Sequence, residues 1–151
     1  MIYFDACYIA KFYLAEPDSA NVIAFANGQV EVSCLLIGKA EVVAVFHRKF
    51  RESIVDESGF HLLCDQFDAD CASGLWRWHP VDDTLLRLST QRFRALPPTV
   101  FLRAADALHL TCAAEGRMHR HPHQRPPHDR RRARVWTASG DFVSAACASG
   151  H

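Results

Sequence analysis

The chain has 151 residues, and its 17 Lys and Arg balance its 17 Asp and Glu, so the formal net charge is zero. That length allows about one domain with a single sizeable core. No apolar run approaches the roughly 20 residues of a membrane span, and the opening MIYFDACYIAKFYLAE, with Asp5 and Lys11 inside it and no basic leader, does not read as a signal peptide.

The six cysteines (7, 34, 64, 71, 112 and 147) make no C-x-x-C pair and show no metal-site spacing. A reducing, cytoplasmic compartment is therefore expected. Cys64 and Cys71 stand seven apart on a predicted helix, as core packing would place them. The zero net charge hides an asymmetry: 117–134 holds seven Arg and one Asp, leaving a balance of −6 on the remainder. A basic segment on an acidic body needs its own explanation.

In chain order, Met1–Phe4 reads as a short buried strand ending at Asp5, an apolar run without alternation, as in a central parallel strand. Helices are predicted over Cys7–Glu16 and Ser19–Asn27, parted by Pro17, the second entered through Asp18 or Ser19 and ended by Gly28. Val30–Ser33 is a second strand. Ser33 is expected to cap a helix reaching about Arg51, whose Val42, Val45 and Phe46 face a core, with Glu41 at the edge of that stripe. Ser53–Ser73 is predicted helical with a break near Gly59, Leu75–Val81 a third strand, and Asp83–Leu96 a helix closed by Pro97-Pro98. Leu102–Glu115 then reads as one more helix, with no Gly or Pro inside it. Alternating strands and helices predict a parallel sheet with helices on both faces.

Active sites of open parallel sheets lie beyond the carboxyl ends of the strands. Asp5 ends the first strand, Glu41 lies near the start of the helix after the second, and Asp106 opens the helix 102–115. Three converging carboxylates would repel one another unless a cation joined them. An oxygen-only ligand set suits Mg²⁺ or Mn²⁺ rather than zinc, and such a site hydrolyses phosphodiesters. On spacing alone, solvated carboxylates at loop ends are the favoured reading. Arg103, Asp106 and His109, three apart, share one side of their helix. His109 is expected to be a packed, satisfied histidine rather than a base, and Arg103 and Lys11 to be solvated cations rather than phosphate ligands.

Three stretches, MIYFDACYIAKFYLAEPDS, VSCLLIGKAEVVAVFHRKF and LRAADALHL, resemble PIN-domain proteins of the VapC-like toxin ribonuclease kind, over about residues 1–116. The resemblance implies a three-layer α/β/α sandwich with a central parallel sheet. It also implies a Mg²⁺- or Mn²⁺-dependent endoribonuclease, commonly a homodimer held inactive by a cognate antitoxin protein. Asp5, Glu41 and Asp106 fall on three of the family's acidic metal positions, with Asp5 and Asp106 expected to hold the metal and Glu41 to complete its shell or orient water. The sequence departs at Asp5-Ala6-Cys7, where the family often has hydroxyl residues after the aspartate; a lost hydroxyl could weaken ordering around the metal.

The family continues with a strand carrying a Thr/Ser-x-Asp box and a closing helix. Here the run 117–134 is rich in His, Pro and Arg, without apolar period, and is expected to be disordered; 135–151 is expected to be an irregular tail. TASGDF (137–142) imitates the acidic box, but Asp141 lies 35 residues beyond Asp106. Read one base later from Met118, the codons permit Cys-Thr-Asp-Ile-His-Thr-Asn-Asp-Arg-His-Met, which resembles the absent strand and box. Its acid would arise at position 125, 19 residues after Asp106. The tail from about Arg117 is therefore expected to be out of frame, the last strand and helix missing or disrupted, and the nuclease weakened or inactive. Arginine clusters attract phosphates, but no aromatic is interleaved for base stacking, and His119, His121, His123 and His128 lack zinc-site spacing and cysteine partners. The rival from another class is a non-catalytic PIN-like protein that binds an antitoxin partner. A phosphate-handling receiver-type domain ranks last, because no lysine follows Lys49.

Overall fold

The computed structural model describes residues 2–115 and the backbone of 134–136 and 142–144. The expectations for residues 117–133, Asp141 and the rest of the tail lie outside the described residues.

Three short strands, β1 (Ile2–Tyr3), β2 (Val32–Leu35) and β3 (Arg77–His79), form a parallel sheet in the order β1-β2-β3. Tyr3 pairs with Ser33, and Ser33 with Arg77. All four residues of β2 are buried, as expected of a central parallel strand. Side chains alternate across its plane: Val32 and Cys34 join one apolar cluster, and Leu35 joins the other. The sheet is thus packed on both faces, which makes the fold mixed α/β. Arg134–Trp136 (β4) and Phe142–Ser144 (β5) pair antiparallel in a separate sheet. Among the described residues the parallel sheet has no fourth strand.

Six helices accompany these strands among the described residues: α1 (Ala6–Ala10), α2 (Ser19–Asn27), α3 (Gly38–Arg51), α4 (Glu57–Ala72), α5 (Asp83–Ala95) and α6 (Ala104–Ala114). Three start on aspartate caps. The Tyr8 N–H donates to Asp5, the Gly59 N–H to Asp56 and the Leu85 N–H to Asp82, each satisfying an N–H that the helix itself leaves unpaired. The acid Glu41 in the first turn of α3 and the bases Arg48, Lys49 and Arg51 in its last both complement the helix dipole.

Several boundaries differ from the sequence reading. Ser33 does not cap α3. It lies inside β2, where its hydroxyl donates to the Ile2 carbonyl at 3.2 Å, because the buried apolar run extends to Leu35 and moves the helix start to Gly38. α1 ends at Ala10 rather than Glu16, since Phe12, Tyr13 and Leu14 turn inward as core residues. α4 runs unbroken through Gly59, which sits in the first turn after the Asp56 cap, and β3 is shorter than 75–81. α6 begins at Ala104 with Arg103 as its cap residue.

The larger core is aromatic. Tyr13 meets Phe46 and Phe67 edge-on at 5.6 Å, and Phe12 meets Trp76 edge-on at 4.7 Å. The Trp76 indole N–H donates to the Tyr13 hydroxyl at 2.8 Å, and that hydroxyl donates to Asp70 at 2.9 Å, tying the segment after α1 to α4. Cys64 and Cys71 pack against this cluster from α4, as expected from their spacing. Among the described residues no helix is long and apolar enough to cross a membrane.

Candidate active site

Asp5, directly after β1, is exposed, and one of its carboxylate oxygens accepts the Tyr8 N–H at 3.0 Å. Glu41 lies one turn into α3, the helix that follows β2. Asp5 and Glu41 therefore both follow carboxyl ends of neighbouring parallel strands. Their negative fields act together on the Cys7 and Cys34 thiols, which they help burial to push up, Cys34 to about 12.

α3 approaches β2 closely because its first residue has no side chain. A β-carbon on Gly38 would stand 2.6 Å from Cys34 Sγ, 3.4 Å from the Trp78 ring and 3.8 Å from His109 Cε1. That closeness brings Glu41 within reach of α6. Glu41 Oε2 and His109 Nε2 are 2.7 Å apart, with the imidazole 9% and the carboxylate side chain 31% exposed. The other ring nitrogen, Nδ1, is 2.7 Å from the Tyr3 hydroxyl. Burial pushes the Tyr3 phenol above its ordinary range, so it stays protonated.

His109 is thus a satisfied, buried histidine, as the sequence reading had it. Its partners were not foreseen: one is Glu41 and the other lies on β1. No sequence signal names such partners, which stand 68 and 106 residues away.

Asp106 is exposed in the first turn of α6, one turn before His109 on the same side of the helix. It makes no hydrogen bond or ion pair among the described residues. Lys11 pairs with Asp18 and lies over the Tyr8 ring, 5.4 Å from its centre, so its charge is engaged. Arg103 is exposed. Ala6 is buried, which leaves the position after Asp5 turned into the core.

The donors that Asp5, Glu41 and Asp106 offer are carboxylate oxygens, the chemistry that Mg²⁺ and Mn²⁺ take. Glu41 Oε1 and the second oxygen of Asp5 remain beyond the bonds just described. Among the described residues, however, no group of three or more His, Cys, Asp or Glu side chains stands together closely enough to hold a metal ion. Compared with models of known protein families and with curated proteins, the chain matches none.

Proposed function

We propose that residues 1–116 are a PIN-like domain, and that the chain is a Mg²⁺- or Mn²⁺-dependent endoribonuclease acting on RNA phosphodiesters, the toxin of a toxin–antitoxin pair, with activity weakened or lost. The observation that carries this reading is the 2.7 Å contact between Glu41 and His109. It joins the helix bearing LRAADALHL to the helix after β2, beside the strand end that bears Asp5. Three segments far apart in sequence, each with one acid, thereby approach one end of the sheet, where open parallel sheets carry their sites.

Asp5, Glu41 and Asp106 are the residues that would hold the metal. When bound, a divalent ion there would activate water and stabilise charge on the transferring phosphoryl group. Asp5 would contribute from a backbone-anchored cap, and Glu41 from a carboxylate already oriented through Oε2. Asp106 would contribute from an exposed first turn. Arg103, exposed just before α6, would be one cation for RNA phosphate, whereas Lys11 is engaged by Asp18. The reading brings with it a cognate antitoxin and a second copy of the chain as protein partners, and a cytoplasmic setting. The loss of activity follows from an out-of-frame tail, which leaves the site without its fourth acid and the sheet without its last strand.

The test is RNA cleavage by the full chain with Mg²⁺ and with EDTA, beside Asp5→Asn. Slow, EDTA-sensitive cleavage that disappears in Asp5→Asn supports the reading. Cleavage indifferent to EDTA or to that substitution overturns it.

The rival reading, a non-catalytic binding protein, makes a different prediction. A non-catalytic PIN-like protein that captures an antitoxin would show no cleavage at all, and partner binding that survives Asp106→Asn.

A further inference from the structure

β1, α3 and α6 meet at one imidazole. His109 is 7% exposed, and each of its ring nitrogens has a polar atom at 2.7 Å, the Tyr3 hydroxyl on Nδ1 and Glu41 Oε2 on Nε2. We propose that Tyr3 and His109 are positioning residues for Glu41: the phenol fixes the imidazole as its Nε2–H form, and that N–H holds the carboxylate by Oε2 so that Oε1 is presented in one orientation. The proposal rests on the reading of Glu41 as an acid of the metal site.

Hydrogen placement follows from the inventory of donors. A carboxylate only accepts, so the atom facing Oε2 at 2.7 Å must carry the hydrogen. A neutral ring with its hydrogen on Nδ1 would set two lone pairs against each other there. A protonated phenol donates to Nδ1, which obliges the neutral ring to carry its hydrogen on Nε2. An imidazolium carries hydrogen on both nitrogens, so Nε2–H donates to Glu41 in either state.

The ring itself is held. Tyr3 meets it edge-on at 5.9 Å, and a β-carbon added at Gly38 would stand 3.8 Å from its Cε1, so the start of α3 lies beside the ring with little room to spare. Glu41 is otherwise a long, rotatable side chain, one-third exposed. A hydrogen bond to a buried, doubly tied imidazole removes much of that freedom before any ligand arrives, as partners of metal-binding carboxylates commonly do.

The experiment uses the full chain with ¹⁵N-labelled histidine, and separately measures Mn²⁺ binding by electron paramagnetic resonance. Long-range proton–nitrogen spectra at neutral pH should show His109, assigned by its loss in His109→Gln, as the Nε2–H form, and Tyr3→Phe should erode that preference. His109→Leu should weaken Mn²⁺ binding by about 10–100-fold, the usual cost of removing such a partner. His109→Gln, which restores a side-chain N–H donor, should recover most of the loss. Thermal melts of both variants separate this from unfolding. A dominant Nδ1–H form, unchanged Mn²⁺ affinity in His109→Leu, or no recovery in His109→Gln overturns the proposal. If the unaltered chain binds no Mn²⁺ while the Nε2–H form and its dependence on Tyr3 hold, the metal reading fails and the positioning of Glu41 stands.

Discussion

Replacing Tyr13 with Phe removes one oxygen from the middle of a buried chain of hydrogen bonds. The Trp76 indole N–H, on a side chain 4% exposed, donates to that oxygen at 2.8 Å, and the oxygen donates to Asp70 at 2.9 Å. Without it the indole N–H has no acceptor and little access to water. An orphaned buried donor costs about 1–3 kcal/mol, and a hydrogen bond to a charged group is worth about 1.5–3 kcal/mol. Asp70 keeps the Gln66 amide at 2.9 Å and is only part-buried, which trims the second contribution. The expected total is about 2–4 kcal/mol. For a domain of this size that corresponds to a fall in Tm on the order of 10 °C. Urea unfolding followed by tryptophan fluorescence measures it, with Tyr8→Phe as a control. Tyr8 is 47% exposed, and its substitution should change stability by less than about 0.5 kcal/mol. A loss below about 1 kcal/mol for Tyr13→Phe would refute the reasoning, because the indole would then have found another acceptor.

Burial, reinforced by Arg77 and opposed by Glu31, holds His79 below the ordinary imidazole value. The unfolded chain therefore takes up a proton near pH 6.5 that the folded chain resists, so this contribution is complete above that pH and is lost as pH falls below it. Urea midpoints across that window should decline less steeply in His79→Gln; equal slopes would contradict the assignment. Cys7 is exposed, whereas burial raises the Cys34 thiol to about 12, so iodoacetamide at pH 8 should modify Cys7 in the native protein and leave Cys34 untouched. Peptide mass mapping reads the outcome, and early labelling of Cys34 would show an open sheet. The gene's nucleotide sequence tests the out-of-frame tail: the codons at Gln124-Arg125 should give Asn-Asp when read one base later, and any other pair ends that explanation.

The elements most legible in the sequence were those with strong local chemistry. Gly28 after α2 and Pro97-Pro98 after α5 mark helix ends that the structure keeps within a residue or two. The three strands were legible as apolar runs and their edges were not. VSCLL carries no breaker between sheet and helix, so Ser33 looked like a cap while its hydroxyl in fact bridges to β1. The shortening of α1 was illegible for a different reason: Phe12, Tyr13 and Leu14 continue a helical pattern locally, and only Trp76 and Phe67, far along the chain, draw them inward.

For the candidate site, the placement of Asp5 and Glu41 after neighbouring strands could be read from residue order and the rules of parallel sheets. The bond between His109 and Glu41 could not be. It depends on Gly38 admitting α3 against β2, and a glycine at a helix start signals nothing about which imidazole will lie beside it.

Mn²⁺ titration of the chain, compared with Asp5→Asn and Asp106→Asn, bears most directly on the proposed metal site. If three carboxylates serve one ion, each substitution should weaken the same single binding event by tenfold or more, and combining them should cost less than the product of the two. Binding that neither substitution alters, or two independent sites lost one at a time, would contradict a common centre at residues 5, 41 and 106.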